Sequence, residues 1–296
     1  MATLIWKSWK EKGGSRRSRV RSVGGGNPEP GGETSRRFKD ETRMTDREKR
    51  SWSVIIPTLN EAREIDRLLR HLSEVMPEAE VIVVDGGSED ATLEVAGRHP
   101  RVKRFARPGA PRGALLNRGA EASCGEWLLF LHADTYPEGP LSPAQIEERM
   151  RGAVAGAFRF RLRSARWSSR IVAWGVALRN RLFALPYGDQ GLVIRREDFF
   201  EIGGYRPLPL LEDVEIIDRL RRRGRITLLP FTAWTSARRY ERLGVFRTTM
   251  INYAVIVAYR FGVSPWTLAR LYRSSGATRR IFRWIGGVGR RLRLLQ

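Results

Sequence analysis

Four short stretches of the sequence place groups capable of chemistry directly beside apolar runs. The run from Trp127 to Leu131 ends in "LHADT", with His132 and Asp134 two positions apart. Alternate residues on an extended chain point the same way, so both could face one point at the strand's carboxyl edge. "EVIVVD" ends in Asp85 and runs into "GGSED". Asp85 could accept hydrogen bonds from a base or a ribose, and Gly86 and Gly87 let a backbone approach closely. A helix N-terminus after them favours a phosphate. "SVIIP" runs into "TLNE", bringing Pro57, Thr58, Asn60 and Glu61 to a third such end. "LLEDVEI" sets Glu212 and Asp213 in a helical first turn, where acids commonly complement the helix dipole. A polar loop, "YGDQG", carries Asp189 and Gln190 and could close over a ligand or be a plain turn.

Each stretch also has a plainer reading. "DGGSED" could be a strand-to-helix turn with Ser88 as the cap, and Asn60 and Glu61 could cap the helix that follows them. His132 could be a strand-end residue with no ligand role.

The elements that must position these residues read as strand, helix, strand, helix in tight alternation. Residues 53–57 and 80–85 are short buried strands. Between them Ile65, Leu68, Leu69, Leu72, Val75 and Met76 recur at helical spacing. A short strand near 102–105, a helix near 113–122 and the strand at 127–131 continue the pattern. This is a doubly wound, mostly parallel α/β sheet flanked by helices, which binds ligands beyond the carboxyl ends of its strands. The second half is less regular: a strand at "AGAFRFRL", an amphipathic helix over 168–184, a helix from 212 ending at Gly224, a strand at "RITLLP", and a helical, basic end.

The chain has 296 residues and a net charge of +22, which suggests an anionic partner or an arginine-rich proteome. Its single cysteine, Cys124, excludes an internal disulfide and a cysteine metal cluster. Residues 1–43 lack apolar periodicity and carry 11 Lys/Arg against 5 Asp/Glu, a disordered composition. A basic extension over 1–49 is therefore expected, with Met44 as the natural start, followed by a catalytic domain over 50–235 and a helical segment over 236–296. No apolar run reaches the length of a membrane span, and the N-terminus lacks a leader's apolar core. A cytoplasmic protein is expected. Residues 149–188 contain no acid, and with the arginine-rich C-terminus they could hold the chain on an anionic membrane at its inner face.

There is no Walker lysine and no G-x-G-x-x-G after the first strand, so ATPase and Rossmann dehydrogenase readings lose support. Tryptophans are scattered rather than set on a basic stacking platform, so no specific nucleic-acid partner is expected. A basic nucleic-acid- or membrane-binding protein on a nucleotide-binding fold remains the alternative. A nucleotidyltransferase would show a glycine-rich loop where "PTLNEAREI" has none.

Taken in order, "SVIIPTLNE", "VVDGGSEDAT", "RGALLNRGAEASCGEWLLFLHADT" and "LEDVEI" resemble family 2 glycosyltransferases of the GT-A fold, over roughly residues 52–260. "YGDQGLVIRRE" and "ARRYERLGVFRTTMINY" resemble a bacterial subgroup labelled as arsenosugar-biosynthesis or diaponeurosporenoate (carotenoid-acid) glycosyltransferases. The resemblance implies a nucleotide-sugar donor, UDP-linked, with Asp85, Gly87, Pro57, Asn60 and Glu61 around the nucleoside. It implies Mg²⁺ or Mn²⁺ on Asp134, the last carboxylate of a D-x-D motif. His132 stands where the family has the first Asp and is a second candidate ligand. It implies Asp213 as the general base of an inverting transfer, with Glu212, Asp189 and Gln190 toward the acceptor. Arg238 and Arg239 stand near the place of a Q-x-x-R-W motif, which is absent, and could meet the diphosphate. A single-sugar transfer to a small or lipid-like acceptor is expected.

Overall fold

The computed structural model describes residues 52–99, 102–163, 190–236 and 245–273. The helix expected over 168–184, Asp189, Arg238, Arg239 and both basic ends lie outside them.

Strand β1 (Trp52–Thr58) is buried along its whole length. Its side chains alternate between two faces, so Val54 and Ile56 enter one core while Ile55 enters another. Helix α1 (Ala62–Val75) covers the first face with Ile65, Leu68, Leu69 and Leu72. Strand β2 (Glu80–Asp85) is also buried throughout and pairs with β1 in parallel, setting Thr58 opposite Asp85. A short helix α2 (Thr92–Gly97) leads to β3 (Val102–Ala106), whose Lys103 and Arg104 mark a charged sheet edge. Helix α3 (Arg112–Ala122) lies on the second face with Leu116 and Ala120, followed by β4 (Trp127–Phe130), parallel to β1. Gly119 lets α3 approach so closely that a Cβ there would overlap Ile55 Cγ2.

Beyond β4 the sheet changes sense. After the short strand β5 (Thr135–Pro137) come α4 (Pro143–Met150) and β6 (Ala155–Arg163). Next come β7 (Leu192–Arg195), α5 (Arg196–Glu201), α6 (Glu212–Arg223) and β8 (Ile226–Ser236). The order β3-β2-β1-β4-β7-β6-β8-β5 makes one eight-stranded sheet among the described residues. β7 is antiparallel to both β4 and β6, and β5 is antiparallel to β8. The doubly wound parallel half is therefore β3 to β4, joined to a mixed half.

Two local expectations change, and a third holds with a different backbone. The strand at "RITLLP" does not stop at Pro230 but continues to Ser236. Its register against β6 jumps from Ala157–Leu228 to Arg159–Thr232, and this bulge takes up the proline, which has no N–H to donate. Ser88 does not cap α2, which begins four residues later. Gly224 does end α6, but with extended backbone (φ 170°), and a Cβ there would lie 2.7 Å from Val154 Cγ1.

The last described helices, α7 (Val245–Arg260) and α8 (Pro265–Arg273), join α6 through a separate core of Leu211, Val214, Ile251, Ala254, Val255, Ala258 and Leu268. No helix among the described residues is long and apolar enough to cross a membrane.

Candidate active site

The carboxyl ends of β1, β2 and β4 open on a cleft of about 620 Å³. Pro57, Thr58, Leu59, Glu61, Gly86, Arg112, His132, Asp134, Pro209 and Trp266 are among its walls. That volume falls in the ordinary range for a cofactor or substrate site. Parallel strands all end on the same side, which is why sequence-distant polar groups meet here.

Asp85 does not line the cleft; it braces its floor. Its carboxylate accepts from Thr58 Oγ1 at 3.0 Å, Ser88 Oγ at 2.5 Å, Gly87 N at 2.9 Å and Ser88 N at 2.7 Å. Burial opposes its charge, but these hydrogen bonds outweigh burial and hold the carboxyl below its usual range. Ser88 Oγ in turn accepts from Asn60 N at 2.8 Å, and Asn60 Oδ1 accepts from Glu89 N at 2.9 Å. Asn60 has φ 56°, a left-handed backbone that Asn tolerates better than most residues. The start of α1 is served from the other loop as well: Thr92 Oγ1 accepts from Glu61 N, and Asp90 from Ala62 N. So Asn60, Asp85 and Gly87 lock two strand ends together, while Pro57, Glu61 and Gly86 face the cleft.

"LHADT" is not extended. β4 ends at Phe130, and Thr135 N donates to the His132 carbonyl at 3.1 Å, closing a tight turn. His132 and Asp134 reach the cleft from that turn rather than by strand alternation.

Arg112 was not singled out in the sequence. It is the first residue of α3, and only its place after "RPGAP" at a helix start hinted at a ligand-facing cation. Its Nε donates to Glu212 Oε1, its Nη1 to His132 Nε2 at 3.1 Å, and its Nη2 lies 3.9 Å from Asp213 Oδ2. Burial and the Arg112 cation push the His132 imidazole down to about 3, so the ring is neutral and accepts through Nε2. That lone pair is thereby turned to a guanidinium, a poor setting for a metal ligand. Asp134, a carboxylate oxygen donor on the cleft wall, is of the type that suits Mg²⁺ or Mn²⁺. Among the described residues no three His, Cys, Asp or Glu side chains gather into a metal cluster.

Glu212 is 3% exposed, and burial raises its carboxyl's pKa against the opposing pull of Arg112. Asp213 is more open, with 23% of its side chain exposed, and its Oδ1 accepts from Val214 N at 2.9 Å. Both sit at the N-terminus of α6, where the helix dipole favours negative charge. The residue before them, Leu211, takes φ 66° while its side chain is buried in the α6–α7 core. A non-glycine in that region costs on the order of 1–3 kcal/mol and is held by its surroundings. Part of that hold is Asn117 on α3, whose amide donates to Tyr205 O and accepts from Tyr205 N, both at 2.8 Å. Gly113 permits the approach, since a Cβ there would lie 2.6 Å from Arg206 O. Gln190 is fully buried and donates to Phe158 O at 2.8 Å. Leu59 and Trp266 are exposed apolar side chains on the cleft wall that the sequence reading missed, because nothing in pattern marks an exposed Trp.

Comparison with known proteins agrees with this architecture. A glycosyltransferase from Mycobacterium tuberculosis, named for PGL/p-HBAD biosynthesis, is 30% identical over 167 residues, 52% of this chain and 62% of the relative. This chain thus spans about three fifths of that relative's length. The succinoglycan biosynthesis protein ExoA of Rhizobium meliloti is 37% identical over 94 residues, 29% of this chain and 28% of its own. The crystal structure of S. aureus TarS 1-349 in complex with UDP-GlcNAc superposes with a TM-score of 0.51 at 20% identity, covering 63% of this chain and 58% of that one. It shares the GT-A-type fold. The sequence model of Glycosyl transferase family 2 matches residues 53–207, more than half of the chain, and the protein belongs to that family.

Proposed function

We propose that the protein is an inverting glycosyltransferase that moves one sugar from a UDP-sugar to a hydroxyl or carboxyl of a small or lipid-like acceptor. The observation that carries the reading is one cleft with Asp134 on its wall and Arg112 reaching from it to Asp213. The structural relative TarS holds UDP-GlcNAc on the same fold, which supports a nucleotide-sugar donor here.

Asp213 takes the proton of the acceptor hydroxyl as that oxygen attacks the anomeric carbon from the face opposite the diphosphate. The bond to the diphosphate breaks and its oxygen leaves with the electron pair. Asp213 is the more accessible of the two acids, and the Val214 N–H fixes its carboxylate. Pro57, Glu61 and Gly86 form the wall at the ends of β1 and β2, where the nucleoside lies. Asn60, Asp85 and Gly87 keep that wall rigid. Asp134 would hold a divalent cation, which would supply neutralisation of charge on the departing diphosphate. Asp189 and Arg239 keep their proposed places at the acceptor and the diphosphate. Membership of the arsenosugar or diaponeurosporenoate subgroup, and contact with an anionic membrane at the cytoplasmic face, are further parts of the proposal.

Calorimetric titration of residues 44–296 with UDP tests this, with and without Mn²⁺ and beside Asp134→Ala. Micromolar binding that needs both Mn²⁺ and Asp134 is expected. Silence toward UDP, GDP and other nucleotides would remove the transferase reading.

A further inference from the structure

Three side chains converge on one guanidinium, and none of the three connections follows from the roles usually sought in such a cleft. Glu212 holds Nε, His132 holds Nη1, and Asp213 lies 3.9 Å from Nη2, too far for a hydrogen bond. Arg112 lines the cleft with 39% of its side chain exposed, whereas Glu212 is almost wholly enclosed. The guanidinium is therefore held by a buried carboxylate at Nε and by a neutral ring at Nη1, while the side chain lines the cleft. Burial is the largest single effect and opposes its charge, but the Glu212 and Asp213 carboxylates together outweigh burial and keep the guanidinium protonated. It also opens α3, and the first turn of that helix carries no acid, so the helix dipole adds to the positive potential at that point.

We propose that Arg112 is the protein's own receptor for the donor's diphosphate, and that Glu212 and His132 are positioning residues that aim it. The inference rests on the transferase reading and deepens it. A planar fork of N–H donors matches phosphate oxygens bidentately, and a fork fixed in advance loses little entropy when the ligand arrives. Nε stays on Glu212, because withdrawing the cation from a buried carboxylate would leave that charge unpaired. Nη2, whose contact among the described residues is the 3.9 Å approach to Asp213, is the end that turns to the phosphate. The neutrality of His132 matters for a simple reason. A third acid beside Arg112 would compete with the diphosphate for the cation, whereas a neutral imidazole orients the cation and leaves its charge available.

The test is calorimetry on the full chain with Mn²⁺ present, titrating UDP and, separately, uridine. Losing a charge-assisted hydrogen-bond pair costs about tenfold or more in affinity. Arg112→Gln should weaken UDP by at least that factor and leave uridine unchanged, while Arg112→Lys, which keeps the charge and loses the fork, should fall between. Glu212→Gln and His132→Asn should each weaken UDP several-fold, and neither should weaken it further when added to Arg112→Gln. Wild-type UDP affinity in Arg112→Gln, or an equal loss for UDP and uridine, would overturn the assignment. Additive losses in the double variants would overturn the positioning roles. Thermal melts of each variant separate a folding defect from a lost contact, and Arg112→Lys supplies the comparison if Arg112→Gln does not fold. Wild-type protein silent to UDP, GDP and dTDP alike would instead sink the transferase reading beneath it.

Discussion

At the scale of single residues, two adjacent acids at the start of α6 have been given different work by burial alone. Glu212 is enclosed and paired, while Asp213 keeps 23% of its side chain exposed. Asp213→Asn should preserve the fold, because its amide oxygen can still accept from Val214 N–H, but it removes the proton acceptor. Turnover should fall by roughly 10²–10⁴-fold with UDP affinity little changed. Initial-rate assays beside calorimetry would check this, and full activity in a folded Asp213→Asn protein would refute the base. A His132→Asn protein that keeps its Mn²⁺ dependence would agree with a ring committed to Arg112 rather than to metal.

At the scale of elements, the site depends on how α3 is seated between the sheet and the loop before α6. Asn117 ties that loop by two hydrogen bonds to Tyr205. Asn117→Ala leaves a backbone donor and acceptor of a buried residue without partners, at roughly 1–3 kcal/mol each. A loss of stability of about 2–4 kcal/mol is expected in denaturant titration, together with reduced turnover, because Leu211 and Asp213 lie downstream of the tie. Gly119→Ala should cost about 1–3 kcal/mol by forcing α3 off Ile55, read as a lower melting temperature. The first helices illustrate a related point: the caps of α1 come from Ser88, Asp90 and Thr92 of the neighbouring loop, so neither loop can be redesigned alone.

At the scale of the whole molecule, two buried carboxylates tie strands together and set the response to acid. Glu80 is opposed by burial but held below its usual range by Lys103, Ser53 Oγ and Cys124 N–H, and Asp85 likewise by Ser88, Gly87 and Thr58. A depressed folded-state pKa contributes stability that is complete above the unfolded values of 4.5 and 3.8 and drains as pH falls through the folded ones. The contribution of these two carboxylates should therefore hold steady from neutrality to about pH 5 and fall steeply below it, while His132, held down to about 3, already drains stability as pH falls below 6.5, so the melting temperature should begin to decline there and steepen below about pH 5. Glu80→Gln and Asp85→Asn should each flatten that fall while lowering stability at neutral pH.

Much of this was legible before any coordinates. The buried runs at 53–57, 80–85 and 127–131 and the helix at 62–75 are strong because both faces of a parallel strand, or one face of a helix, must be apolar, and such patterns are local. The ends of those strands had to carry the ligand groups, since parallel strands deliver their carboxyl ends to one edge. What only the tertiary structure decided was the pairing of groups across that edge. Nothing local to 112 says that it meets residue 132, 20 positions on, and residues 212 and 213, a hundred positions on, nor that Asp85 spends its charge on four donors of its own loops. Nor does anything local to 225–236 reveal that a bulge carries one strand past a proline. Periodicity records whether a side chain is buried; which partner it finds there depends on sheet order, and sheet order is settled by the packing of the whole chain.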